Sequence, residues 1–190
     1  MKLFKGVMFL ITFLLIFFAI NSVFATEVTM SPTYEHEIRY SRGVSNTCYY
    51  VDSTAATYTS RINQAANGWV HTYYGDNPIY MTAVSSNRAT HMDFYARAMT
   101  GDYSSYVAYT NIWTSSGVQL PFNGTTNYYY AEVHINNNQT VTTADMMHEM
   151  GHCFGLDEYN NPYSIMWPLT INWYVSTVQA CDNATVNYLY

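Results

Sequence analysis

The stretch His148-Glu149-Met150-Gly151-His152-Cys153-Phe154-Gly155-Leu156-Asp157-Glu158 places two histidines four residues apart, with a glutamate directly after the first. On an α-helix, residues four apart lie above one another on the same face, so His148 and His152 can direct ring nitrogens at one point. Glu149 lies about 100° around the helix from His148. It is therefore near that face but need not bind the metal. The pattern therefore predicts a helix that holds a metal ion and keeps a carboxylate beside it.

Two histidines do not complete a catalytic zinc site, which commonly has three protein ligands and an open position for water. No histidine follows His152, and the later carboxylates are those of Asp157, Glu158 and Asp182. Gly155 allows the chain to turn directly after the helix and to return the next residues toward the metal. Either Asp157 or Glu158 can therefore supply the third ligand, and we favour Glu158.

The residue types in this stretch suit the hydrolysis of a peptide bond. Neutral imidazole is a good ligand for zinc, and zinc lowers the pKa of a bound water to about 7. Glu149 would act as the general base, taking the proton of that water and passing it to the leaving amine. The motif predicts one catalytic Zn²⁺ ion and a metallopeptidase activity.

The stretch from His148 to Glu158 resembles the motif of the metzincin zinc peptidases, H-E-x-x-H-x-x-G-x-x followed by a third ligand. It is most similar to the matrixin-like branch, with Glu158 in the place of the usual final histidine. Ser164-Ile165-Met166 resembles the family's Met-turn, which implies that Met166 packs beneath the metal without binding it. The resemblance implies a secreted zinc endopeptidase with an α+β fold: a twisted mixed sheet, a long N-terminal helix, a catalytic helix, the Met-turn and a C-terminal helix.

Hydrophobic periodicity predicts where these elements lie. Alternating apolar residues predict strands, and apolar residues at helical spacing predict helices. Asp52 or Ser53 can cap the first helix, and Thr142 with Asp145 forms a capping-box pattern before the second. The predicted strands are 36–42, 79–84, 91–99, 106–113 and 128–135, and the predicted helices are 52–73, 142–155 and 177–189, with a loop at 114–127.

The N-terminus predicts export. Lys2 and Lys5 precede an apolar run from Val7 to Ile20, and small residues lead up to Ala25. The run is shorter than the roughly 18–20 residues of a membrane-spanning helix, so residues 1–25 are predicted to be a signal peptide and residues 26–190 the catalytic domain. Both lysines would be removed, which makes the mature chain more acidic than the net charge of −6. We expect a secreted monomer that acts on protein or peptide substrates, without binding nucleic acid or associating stably with membranes.

Two further expectations concern cysteines and additional metals. Three cysteines in an exported chain suggest one disulfide and one remaining thiol. We favour a bridge between Cys153 and Cys181, with three free thiols as the alternative. His134 matches in position a structural zinc ligand of matrixins, but the loops that complete such sites are missing, so a second metal is not expected.

The competing hypothesis is a binding or toxin-like protein that keeps the metzincin fold and has little or no catalytic activity. The glutamate at position 158 motivates it, because an unusual third ligand can mark a weakened site.

Overall fold

Six strands form one mixed sheet in this computed structural model, which describes residues 38–122, 126–168 and 175–190. The spatial order is β2-β1-β3-β6-β4-β5. Strands β2, β1, β3 and β6 are parallel, β4 is antiparallel to β6, and β5 is antiparallel to β4. The strands are β1 (Thr47–Val51), β2 (Met81–Val84), β3 (Met92–Arg97), β4 (Ala108–Trp113), β5 (Gln119–Leu120) and β6 (Tyr130–Asn136).

Three α-helices accompany the sheet, which confirms the predicted α+β class. They are α1 (Thr59–Val70), α2 (Thr143–Cys153) and α3 (Ala180–Leu189). Short 3₁₀ turns lie at Ser53–Tyr58 and Gly101–Tyr103. Within the described residues, every helix is too short or too polar to cross a membrane. The predicted signal peptide, residues 1–25, lies outside the described residues.

The helix α1 packs against α2 through its apolar side. Asp52 begins this segment as predicted, because its carboxylate accepts from the amide of Thr54 at 2.8 Å. Trp69 is fully buried and donates its indole N–H to the carbonyl of Met147 in α2 at 2.9 Å. Its ring meets that of Phe154 edge to face, with 5.3 Å between ring centroids. These contacts hold the helix that carries the histidines against the core.

The predicted elements differ from the observed ones in two places. The first strand is β1 rather than residues 36–42; of the described part of that segment, Tyr40 forms a single bridge to Tyr128. Strand β1 lies between β2 and β3 in the sheet, a long-range pairing that local sequence does not reveal. The predicted loop at 114–127 contains the short strand β5, which completes a hairpin with β4.

The expected bridge between Cys153 and Cys181 is wrong, since neither residue forms a disulfide in the described part of the chain. The Cys153 thiol interacts with Thr110 of β4, and burial raises its pKa. The Cys181 sulfur lies 3.9 Å from the carbonyl oxygen of Tyr163. The two sulfurs therefore face different neighbours although their helices belong to one core.

Candidate metal centre

The helix α2 begins with the capping box that the sequence predicts. The Thr142 hydroxyl accepts from the amide of Asp145 at 3.2 Å, and the Asp145 carboxylate accepts from the amide of Thr142 at 2.5 Å. Two of the amides left without helical partners at this end are thereby satisfied. The cap defines where α2 begins and hence the direction in which the histidine side chains point from it.

The helix ends in a Schellman motif centred on Gly155. The amide of Leu156 donates to the carbonyl of Gly151, and the amide of Gly155 donates to that of His152, both at 3.0 Å. Gly155 has a φ of +91°, a left-handed conformation that favours glycine. A Cβ atom there would also lie 2.9 Å from the carbonyl oxygen of Ile38. The predicted turn after the motif is confirmed, and it sends residues 156–158 back past the helix.

The two histidine rings converge as their spacing predicts. Their Nε2 atoms lie 3.0 Å apart. Each Nδ1 faces a backbone carbonyl oxygen: that of Ile165 for His148, at 2.9 Å, and that of Leu156 for His152, at 2.8 Å. Because a carbonyl can only accept, each Nδ1 carries a proton, and both Nε2 atoms point at a common position. There they can share a proton or, when unprotonated, bind one metal ion.

The carboxylate of Glu158 lies beside the Nε2 atoms of both histidines, whereas that of Asp157 lies outside this group. The Glu158 Oε1 atom lies 3.4 Å from Nε2 of His148 and 3.6 Å from Nε2 of His152. In the described part of the chain, these three residues form the group whose ligand atoms all lie within 4.8 Å of one another. Asp157 instead accepts from the amide of Glu158 at 2.7 Å. Ligands of tetrahedral zinc lie about 3.3–3.4 Å apart, given bond lengths of about 2.0–2.1 Å, so the donor atoms and their separations fit such an ion.

The charges of these side chains are strongly coupled. Burial lowers the pKa of His152, but its hydrogen bond with Glu158 and the negative charges of Glu149 and Glu158 outweigh burial and raise that pKa to about 9. Burial raises the pKa of Glu158, but hydrogen bonds from both histidines outweigh it and lower that pKa to about 2. The site therefore favours positive charge at the point where the three ligand atoms meet.

Glu149 stands beside this group and is held by a residue from the sheet. The hydroxyl of Thr110, in β4, donates to Oε2 of Glu149 at 2.6 Å and lies 3.2 Å from its backbone carbonyl oxygen. Both residues are buried, with 2% of Glu149 and 7% of Thr110 exposed. The carboxylate is thus held through one of its two oxygens.

Met166 lies directly under α2. A Cβ atom on Gly151 would fall 2.2 Å from the Met166 sulfur, so the close approach requires glycine. The Met166 carbonyl accepts from the amide of Tyr159 at 2.8 Å, which joins the segment after the helix to the turn below it. Met166 therefore packs against the helix that carries the two histidines.

Asp182 anchors the turn that contains Met166. Its carboxylate accepts from the Ser164 hydroxyl at 2.5 Å, from the Ile165 amide at 3.0 Å and from the Gln179 amide at 2.7 Å. Asp182 is fully buried. Because the Ile165 carbonyl accepts from His148, this carboxylate on α3 supports the orientation of a candidate ligand through one intervening residue.

The candidate ligands open onto a cleft of about 410 Å³. Ala108 and Thr110 of β4 form one wall, and Pro168, after the Met166 turn, also lines the cleft. The Phe122 ring lies 5.6 Å from that of His152, centroid to centroid. The cleft wall is mainly apolar, with the metal-binding group at its base.

The structure brings the predicted residues His148, His152, Glu149 and Glu158 to one cleft. It adds Thr110, Phe122 and the supporting Asp182, which the sequence did not indicate. Thr110 belongs to a strand whose alternation indicates burial of its side chain, and a buried hydroxyl requires a partner; no pattern in the sequence names Glu149 as that partner. No protein-family model matches this chain, and no curated protein matches it significantly.

Proposed function

We propose that this protein is a secreted zinc-dependent endopeptidase of the metzincin type, in which His148, His152 and Glu158 bind the metal and Glu149 is the general base. The observation that carries the proposal is the convergence of two Nε2 atoms and a carboxylate oxygen beside a separately held carboxylate. The position of Met166 under α2 also supports a metzincin-like arrangement.

The residues around the cleft would have separate roles in catalysis. A zinc ion on these ligands would supply a Lewis acid that lowers the pKa of a coordinated water and polarises the substrate carbonyl. Glu149 would accept a proton on its carboxylate and then donate that proton to the leaving amine. Thr110 would keep this carboxylate in one orientation, so that little reorganisation is needed before proton transfer.

Strand β4 offers a place for an extended peptide. Its last residues, Ile112 and Trp113, pair with β5, whereas Ala108–Asn111 have no strand on the side away from β6 among the described residues. A substrate strand added there would satisfy the free backbone groups and run past Glu149. The mainly apolar wall with Phe122 would accept an apolar substrate side chain.

The test is cleavage of an unfolded protein, such as reduced casein, by the mature chain. We expect one zinc per chain, activity abolished by 1,10-phenanthroline and restored by added zinc. Glu149→Gln should bind zinc and cleave nothing, whereas Asp102→Asn, at an exposed carboxylate, should cleave normally. Zinc bound without turnover by the wild-type chain would instead support the non-catalytic binding protein.

The third ligand is tested by comparing two neighbouring carboxylates. Glu158→Ala should lower zinc affinity by at least about tenfold, because one of three ligands is removed. Asp157→Ala should retain zinc because its carboxylate lies outside the converging group. The coordination proposed here is wrong if both variants bind zinc as the wild type does, and Asp157 is the ligand if the two results are reversed.

A further inference from the structure

A second concave region lies on the other face of the sheet. It encloses about 450 Å³ and is bordered by the loop before β3, the β4–β5 hairpin and the start of β6. We call it the sheet-face pocket. Its lining includes Thr90, Trp113, Tyr129, Tyr130 and Glu132.

The sheet-face pocket is separate from the metal centre. Thr110 of β4 faces α2, where it contacts Glu149. Trp113 is three residues further along the same strand, and side chains alternate between faces, so it lies on the opposite side. Glu132 likewise alternates with the buried core residues Ala131 and Val133 of β6. The pocket and the cleft share no lining residue.

Two carboxylates lie at this face of the sheet. Asp93 of β3 is paired in register with Glu132 of β6, and only 2% of Asp93 is exposed. Its Oδ2 accepts from the hydroxyls of Tyr130 at 2.7 Å and Tyr95 at 3.2 Å, whereas its buried Oδ1 has no partner within the described chain. Burial, and also the charge of Glu132, raise the pKa of Asp93. Hydrogen bonds from Thr90, Tyr130 and Tyr95 act in the opposite direction and lower that pKa. The Oδ1 atom can still accept a further hydrogen bond.

The walls of the sheet-face pocket are aromatic. Trp113, Tyr129 and Tyr130 all border it, and the buried indole N–H of Trp113 has no acceptor within the described chain. Aromatic faces attract cations, and Tyr129 already does so at the rim, where the Arg42 guanidinium lies 4.8 Å from its ring centroid. That guanidinium stays at the rim, since it donates to the carbonyls of Thr90, at 2.9 Å, and Ala89, at 3.3 Å, and both residues line the pocket.

We propose that the sheet-face pocket binds the side chain of a lysine or arginine from a partner protein. The charged end would balance Glu132 and approach Asp93, while the alkyl stem would lie along the aromatic walls. A metal ion fits less well: the wall offers aromatic rings, and the carboxylates here do not join a group of three converging ligands. The acidic net charge of −6 is consistent with a basic partner.

The probe is N-acetyl-lysine methylamide, added to the mature zinc-loaded protein. Binding is followed through the indole N–H resonance of Trp113, assigned with Trp113→Phe. We expect a saturable shift, none with the uncharged N-acetyl-norleucine methylamide, and about tenfold weaker binding in Glu132→Gln because a charged hydrogen-bond partner is lost. Asp102→Asn should bind the probe as the wild type does.

A variant with both carboxylates intact gives a second test. Tyr129→Leu changes a side chain that is 42% exposed, so the fold should persist, and the loss of one aromatic face should weaken binding about two- to fivefold. Equal binding of the two probes, an unchanged affinity in Glu132→Gln, or displacement of the lysine probe by calcium would each overturn the proposal. Proteolysis is measured separately, and its failure leaves this site unaffected.

Discussion

Replacing Asp182 by alanine tests whether a buried carboxylate on α3 organises the turn beneath the metal centre. Asp182 accepts three hydrogen bonds, from the Ser164 hydroxyl and from the amides of Ile165 and Gln179. The hydroxyl can rotate to another acceptor after the substitution, but the two amides cannot. Asp182→Ala therefore leaves two backbone donors in or near the core without partners.

The expected cost follows from these bonds. Each buried amide left unsatisfied costs about 1–3 kcal/mol, and the bond from the Gln179 amide is also the capping interaction at the start of α3. For two amides we expect the free energy of unfolding to fall by about 2–6 kcal/mol. Because Ile165 also accepts from His148, zinc affinity should fall about tenfold, at the lower end of the effect of losing a residue that orients a ligand.

Urea unfolding of the zinc-free protein, followed by tryptophan fluorescence, measures the stability, and competition with a chromophoric chelator measures the zinc affinity. The control is Asp102→Ala, in which an exposed carboxylate is removed and the change should stay within about 0.5 kcal/mol. If Asp182→Ala unfolds within about 1 kcal/mol of the wild type, the proposed anchoring role is refuted.

Three other substitutions probe separate parts of the molecule. Thr110→Val removes the hydroxyl that holds Glu149, so kcat should fall about tenfold with KM unchanged. Thr110→Ser keeps a hydroxyl and should retain the wild-type kcat. Equal kcat values for Thr110→Val and the wild type in steady-state assays would contradict this role. Gly151→Ala should destabilise the protein by about 1–3 kcal/mol in urea unfolding, because the added methyl group meets the Met166 sulfur; a gain in stability, as helix propensity alone would give, would refute the packing argument. Asp93 has a raised pKa in the folded state, so its contribution to stability is present below its unfolded pKa and is lost as pH rises through the folded value. Asp93→Asn should therefore gain stability relative to the wild type as the pH rises above the ordinary Asp pKa of about 4, and a stability difference that does not change with pH would show that the carboxylate titrates normally.

The elements near the metal centre were predictable because local patterns determine them. Thr142 and Asp145 begin α2 through a capping box, and Gly155 ends it through a left-handed turn, as the sequence indicates. Asp52 caps the segment before α1 for the same local reason. Interactions within a few residues of one another carry these features, so they can be derived without knowing the rest of the fold.

The features that were missed or mistaken depend on distant residues. Strand β1 is recognisable only through its neighbours β2 and β3, and the pairing of Cys153 with Cys181 was wrong because each sulfur faces a different part of the core. Asp93 alternates with the core residues Met92 and Phe94, yet it too is buried, beside Glu132. Sequence periodicity reports which face a side chain occupies, but not what covers that face.

The sequence by itself determined the two histidines, the base beside them and the turn that follows, because helical geometry and glycine's backbone freedom act over a few residues. For the third candidate ligand, the sequence left both Asp157 and Glu158 open. The tertiary structure brings Glu158 to within 3.4 Å and 3.6 Å of the two histidine nitrogens. It also brings Thr110 to Glu149 from a strand 39 residues earlier. Both depend on how the helix packs against the sheet and the Met166 turn, which a one-dimensional pattern does not encode.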